Sequence, residues 1–167
     1  MPLAQTLTIR FTRKAPQRTI FTVLRADGTT TWMVLYPGTE AHDLAHYMVE
    51  SVLELDNAFF GLLAQGHDIS DFELPPDQRP DALRPVNLPQ ESLQVEHLVN
   101  LLLTELSDQQ LLTDFQEQLR QILVAADLPE LLILTSAKLA EIRVGLRSIL
   151  TEWRAVVVGE TLELRLA

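Results

Sequence analysis

The sequence predicts an α+β domain: a small antiparallel sheet of three N-terminal strands and one C-terminal strand, packed against about five helices. Three observations point there. Apolar residues alternate strictly in the opening segments and again in the closing ETLELRLA, which marks strands. They recur at 3- and 4-residue steps through much of the remainder, which marks helices. A proline-rich stretch separates a β-rich half, 1–66, from a helical half, 91–167.

In TLTIRFT, Leu7, Ile9 and Phe11 fall on one face, and Thr6, Thr8, Arg10 and Thr12 on the other. KAPQR is a turn and TIFTVLR the second strand. The Asp27-Gly28 pair in ADGTT supplies the positive φ values of a tight hairpin turn. TTWMVLY is the third strand, stopped by Pro37-Gly38. A helix follows from about Glu40 to Leu55, capped by Thr39, with Glu40 and Asp43 at the positive end of its dipole. DNAFFGLLAQG reads as a short helix, with Asn57 as N-cap and Gly66 as a left-handed stop.

Residues 67–90 hold five of the nine prolines. Proline removes backbone donors and fixes φ, so neither a helix nor an inner strand is expected to run through. The segment reads as a surface connection and the natural place for a hinge. Beyond it, ESLQVEHLVNLLLTEL is one helix. Ser107 with Gln110 forms a capping box that opens the next, which carries Leu111, Phe115, Leu119, Ile122 and Ala126 on one side. Asp127-x-Pro-Glu130 repeats that entry signal. The last helix has Leu139, Ile142, Leu146, Ile149 and Trp153 on one stripe, with Gly145 inside it to allow a close helix contact. Leu162, Leu164 and Leu166 then alternate in a strand that returns to the N-terminal meander and joins residues 1–167 into a single domain.

The chain is 47% hydrophobic and 22% charged, as expected of a globular domain. It has no cysteine, so disulfides, thiolate metal sites and cysteine nucleophiles are excluded. No apolar run is long enough for a bilayer, and MPLAQTLTIR carries no apolar leader, so a cytoplasmic protein without membrane contact is expected. The net charge of −10 argues against nucleic acid as a partner. That charge is uneven: residues 1–26 carry five bases and no acid, and the rest carry 8 bases and 23 acids. The five bases read as the solvated side of the hairpin, facing the acidic remainder or a symmetry mate. No glycine-rich loop opens a helix and no Gly-x-Ser-x-Gly elbow is present.

The stretch HDLAHYMVE, residues 42–50, carries the chemistry. On a helix His42 and His46 are neighbours one turn apart, with Cβ atoms about 6 Å from each other, so both rings reach one ion. On the helical wheel His42 falls just inside the apolar edge and His46 just outside. Glu50 is about 12 Å along the axis from His42 and cannot share that ion. It suits a hydrogen bond to His46 that orients the ring. Asp43 could do the same for a ligand or a bound water. Asp43 and Glu50 are also the candidates for acid–base work. A third ligand is needed. His67 is the candidate, with Asp68 beside it, because the short helix could fold back on the first. His97 suits a helix contact, and Asp71 and Glu73 read as loop acids.

The stretch partly resembles the zincin metalloprotease helix, His-Glu-x-x-His, with Asp43 where that pattern has its catalytic glutamate. Aspartate is a methylene shorter and reaches poorly as a general base. Val49 and Val52 stand where the extended pattern has glycine and a third histidine. The likeness implies ligand roles for His42 and His46 and no protease activity. Residues 42–66 are also similar to a segment of small bacterial proteins of uncharacterised function, His-Asp-Leu-x-His-x-x-x-Glu followed by Ala-Phe-x-Gly-Leu-Leu-Ala-x-Gly. That likeness implies no activity, cofactor or substrate.

Two readings follow, and the sequence does not decide whether the protein is an enzyme. In the first and preferred one it is a non-enzymatic binding or interaction module, acting with a protein partner or as a homo-oligomer, and the His42/His46 pair is structural. In the alternative it binds a divalent metal such as zinc through His42, His46 and His67, and a metal-dependent hydrolase could be built on that site.

Overall fold

The computed structural model describes residues 6–167; residues 1–5 lie outside the described residues. Strands β1 (Leu7–Ala15), β2 (Arg18–Leu24) and β3 (Thr30–Leu35) lead into helices α1 (Glu40–Leu53), α2 (Phe59–Ala64) and α3 (Ile69–Glu73). Two 3-10 turns, Pro76–Gln78 and Asp81–Leu83, precede α4 (Gln90–Asp108), α5 (Phe115–Ala125), α6 (Ser136–Ala155) and β4 (Thr161–Leu166). The fold is α+β as expected, with six helices in place of about five. The antiparallel sheet runs β3-β2-β1-β4, so the C-terminal strand closes beside the first. No helix among the described residues is long and apolar enough to cross a membrane.

Period-two alternation builds the core. Leu7, Ile9, Phe11, Phe21 and Val23 point inward with 1% exposure or less, and the Phe11 and Phe21 rings stack at 4.9 Å across the β1–β2 register. Burying side chains of this size contributes roughly 1.5–3 kcal/mol each. Helix α1 lies between α6 and α4. All five residues of the α6 stripe are buried. A methyl on Gly145 would stand 2.5 Å from Met48 Sδ, so this glycine does permit the close α1–α6 approach.

The basic N-terminus is less solvated than expected. Arg25 is buried: its Nε donates to Leu63 O at 2.6 Å and its Nη2 to His67 O at 2.6 Å. It thereby satisfies carbonyls at the C-terminal end of α2, where a cation suits the helix dipole. Arg13 does the same for α6, donating to Val156 O at 2.8 Å and Trp153 O at 3.2 Å while its guanidinium lies over the Trp153 ring. Arg10 pairs with Glu163 at 2.9 Å. Three of the five bases thus tie the meander to the acidic remainder.

Local signals misplaced several boundaries. Positive φ in the β2–β3 loop falls on Gly28 alone, and Asp27 contributes a side chain that accepts from Thr29 N and Oγ1. Thr39 does stand at the N-cap of α1, but its hydroxyl turns back to Tyr36 O and makes no side-chain cap bond. Ser107 does not open a helix: α4 runs through it to Asp108 and ends at left-handed Gln109. There Glu105, buried and ion-paired with Arg143, accepts Leu112 N at 2.8 Å and holds the α4–α5 link extended, leaving Leu111 54% exposed. Asp127 makes a left-handed turn, and α6 opens at Thr135, whose side chain accepts from Lys138 N. Ahead of its prolines, the 67–90 segment forms α3.

Gly61 sits where α2 passes under its own incoming loop, and a methyl there would collide with the backbone carbonyl of Asp56. Main chain cannot move aside as a methionine tip can. Gly61→Ala is therefore expected to lower the unfolding free energy by about 2–3 kcal/mol, and Gly145→Ala by clearly less. Urea unfolding of both variants checks this; equal losses would contradict the packing described.

Candidate metal centre

His42 and His46 lie on adjacent turns of α1, rotated about 40° from one another. Both project toward α4, and there they meet Glu96. His42 Nε2 is 2.9 Å from Glu96 Oε1, and His46 Nε2 is 2.9 Å from Glu96 Oε2. The two imidazole centroids are 4.7 Å apart. Among the described residues these three side chains form the one gathered group of metal-ligating donors, all within 4.8 Å of one another.

Each ring is backed by a second carboxylate. His46 Nδ1 is 3.3 Å from Glu50 Oε2, and His42 Nδ1 is 3.5 Å from Asp43 Oδ1, at the outer limit of a bond. Glu50 is the structural pivot. Its side chain is 0% exposed, and its Oε1 accepts from Phe60 N at 2.8 Å and Gly61 N at 3.3 Å. These are free donors at the start of α2, so the carboxylate takes the capping role expected of Asn57. Short α2 thus has Glu50 at its positive end and Arg25 at its negative end. The packing also reverses the expected burial of the pair: the His46 side chain is 3% exposed and that of His42 38%.

The group opens into a cleft of about 400 Å³. Phe59, Ile69 and Phe72 form one wall, and Arg79, Pro85 and Leu88 reach it from the proline-rich segment. That segment is therefore a wall of the site as well as a connection between the halves. Leu83, 0% exposed, pins it to the body.

The charges fit together tightly. Asp43 and Glu96 raise the His42 pKa to about 10. Burial alone would lower that of His46, but Glu50 and Glu96 outweigh it and lift the value to about 9. Burial likewise opposes ionisation of Glu96, yet the two imidazoles hold its carboxyl well below the usual range. Burial pushes Glu50 up despite His46 and the two amides. Three carboxylates around two imidazoles call for about two positive charges, from two protons or from one divalent ion.

Of the residues singled out in the sequence, His42, His46, Asp43 and Glu50 come together; His67 does not. The His67 backbone carbonyl is tied to Arg25, and the side chain is not among the gathered donors. His97, one residue from Glu96, does not line the cleft, and neither do Asp68 and Asp71, whereas Glu73 does. Glu96 carries no signal of its own in a chain with 23 acidic residues, and only the α1–α4 contact singles it out. Comparison with protein-family models, curated proteins and solved structures finds no match for the chain.

Removing the Glu50 carboxylate leaves two buried amides and the His46 imidazole without their partner, so Glu50→Ala is expected to cost about 3–5 kcal/mol in urea unfolding. A loss under about 1 kcal/mol would contradict the pivot role. Without metal, the histidines have folded pKa values raised above 6.5, so their stabilisation is complete below pH 6.5 and disappears as pH rises through 9 and 10. Glu96, shifted down, contributes above its ordinary 4.5 and loses that contribution in acid. The metal-free urea midpoint should fall between pH 6.5 and 10, and Glu96→Gln should flatten much of that slope. Parallel slopes in the two proteins would count against the described network.

Proposed function

We propose that the protein binds one divalent metal ion, zinc by donor type, on His42 Nε2, His46 Nε2 and the Glu96 carboxylate. The observation that carries this is the convergence of the two Nε2 atoms on one acidic group, with a carboxylate behind each ring. Such backing fixes the Nδ1–H tautomer and aims the Nε2 lone pair, a recurrent feature of histidine metal ligands. Two imidazoles and one carboxylate are also the ligand set of zinc sites that keep a position open, and here that position would face the cleft. Donors around a tetrahedral ion with bonds of about 2.0–2.1 Å stand about 3.3 Å apart. The 2.9 Å His–Glu96 spacings would widen by about 0.4 Å, within a donor group that spans no more than 4.8 Å. Bound there, the ion would supply Lewis acidity to whatever occupies the cleft. Asp43, at the same rim, would be the group to hold a proton, so hydrolysis is the activity to assay first.

The structural reading preferred from sequence alone has one observation in its favour. All four ring nitrogens already have a carboxylate within 3.5 Å. In that reading protonated histidines clasp α1 to α4, and the protein serves as an interaction module. Zinc titration separates the two. Stoichiometric zinc in excess of its Kd should raise the melting temperature by about 5–10 °C at pH 8. The rise should be smaller at pH 6, because two protons must leave the rings. Glu96→Ala and His46→Ala should abolish it, and His67→Ala should leave it unchanged. No response to zinc, nickel or cobalt would leave the structural clasp as the account, and a response that needs His67 and not Glu96 would contradict this ligand set.

A further inference from the structure

The cleft contains one guanidinium, Arg79, beside three carboxylates, Asp43, Glu73 and Glu96. Among the described residues it forms an ion pair with none of them, and its side chain makes one bond, from Nε to Leu74 O at 2.9 Å. That bond fixes the plane of the guanidinium. The two terminal nitrogens have no partner among the described residues, and they form the edge that grips a carboxylate or phosphate with two parallel bonds. The backbone that presents it is stiff. Pro75, Pro76, Pro80 and Pro85 set φ on either side, two 3-10 turns take up the slack, and buried Leu83 anchors the loop. A free guanidinium edge held in place beside acids that it does not pair with is suited to an anion from outside the chain.

The rest of the cleft describes the body of such a ligand. Phe59 and Phe72 stand edge to face at 5.0 Å, with Met33 and Ile69 beside them, so the walls are aromatic and aliphatic. A volume of about 400 Å³ is within the range of small-molecule sites. We propose that the cleft binds a small organic acid, an aromatic or aliphatic body bearing one carboxylate or phosphate, with the acid group on Arg79 and the body against Phe59 and Phe72. This deepens the metal reading and rests on it for one feature, that a second polar atom of the ligand would face the ion at His42, His46 and Glu96.

The test is isothermal titration of the full chain, with and without zinc, using phenylacetate and phenyl phosphate, and acetate and inorganic phosphate as controls. The phenyl compounds should bind, and each control should bind at least tenfold more weakly. Arg79→Gln should weaken the phenyl compounds by roughly ten- to hundredfold. Arg79→Lys, which keeps the charge and loses the paired edge, should fall between. Phe72→Ala should weaken the phenyl compounds and leave the controls unchanged. Preference between the two phenyl compounds identifies the acid group as carboxylate or phosphate. Failure of both to bind, or equal binding by wild type and Arg79→Gln, would overturn the proposal. Binding that depends on Arg79 in a protein that takes up no zinc would support the anion site and overturn the metal reading alone.

Discussion

A carboxylate with no exposed surface must have its oxygens occupied by donors, and Glu50 meets that requirement with three groups from two helices. It takes two amides from the start of α2 and an imidazole nitrogen from its own helix. Those bonds fix where α2 begins, which sets Phe59 and Phe60 against the sheet and the cleft. They also fix the His46 ring, which sets the direction of Nε2, the nitrogen that faces Glu96. The basic meander supports the same arrangement from the other end, through Arg25 on the last carbonyls of α2. The site geometry therefore depends on one buried acid whose unsatisfied cost would be several kcal/mol.

That dependence bears on the proposal that the group takes either protons or an ion. Glu96 faces two imidazole nitrogens at 2.9 Å, and carboxylates stand behind both rings. Positive charge is needed between α1 and α4 in any state of the molecule. Protons supply it at neutral pH in the metal-free chain, and a divalent cation would supply it with the same ligands and a small outward movement. Competition between the two would make metal binding depend on pH, the ion gaining on the protons as pH rises.

Where a pattern repeats along the chain, the sequence predicted the structure well. The alternation in β1 and β4, the α6 stripe and the contact at Gly145 all follow from periodicities of two and 3.6, which local backbone geometry enforces. What failed was local punctuation. Ser107 and Asn57 have the right residue types for caps, yet the positions are decided by remote acids: Glu105 at the end of α4 and Glu50 at the start of α2. The site was half legible for the same reason. His42, His46 and Glu50 share one helix and obey its spacing, so their mutual roles could be read. Glu96 lies on α4, in a chain with 23 acidic residues, and only packing brings it to the imidazoles. The wall supplied by the proline-rich segment was equally invisible, since proline content predicts rigid backbone but not what that backbone leans against.

The central claim is that His42, His46 and Glu96 make one coordination sphere. X-ray absorption at the zinc edge, on protein loaded with one equivalent, tests it most directly. The account predicts two imidazole nitrogens and one or two carboxylate oxygens at about 2.0–2.1 Å, with this shell lost in His46→Ala. A first shell of oxygen alone, or one unchanged by that substitution, would contradict it.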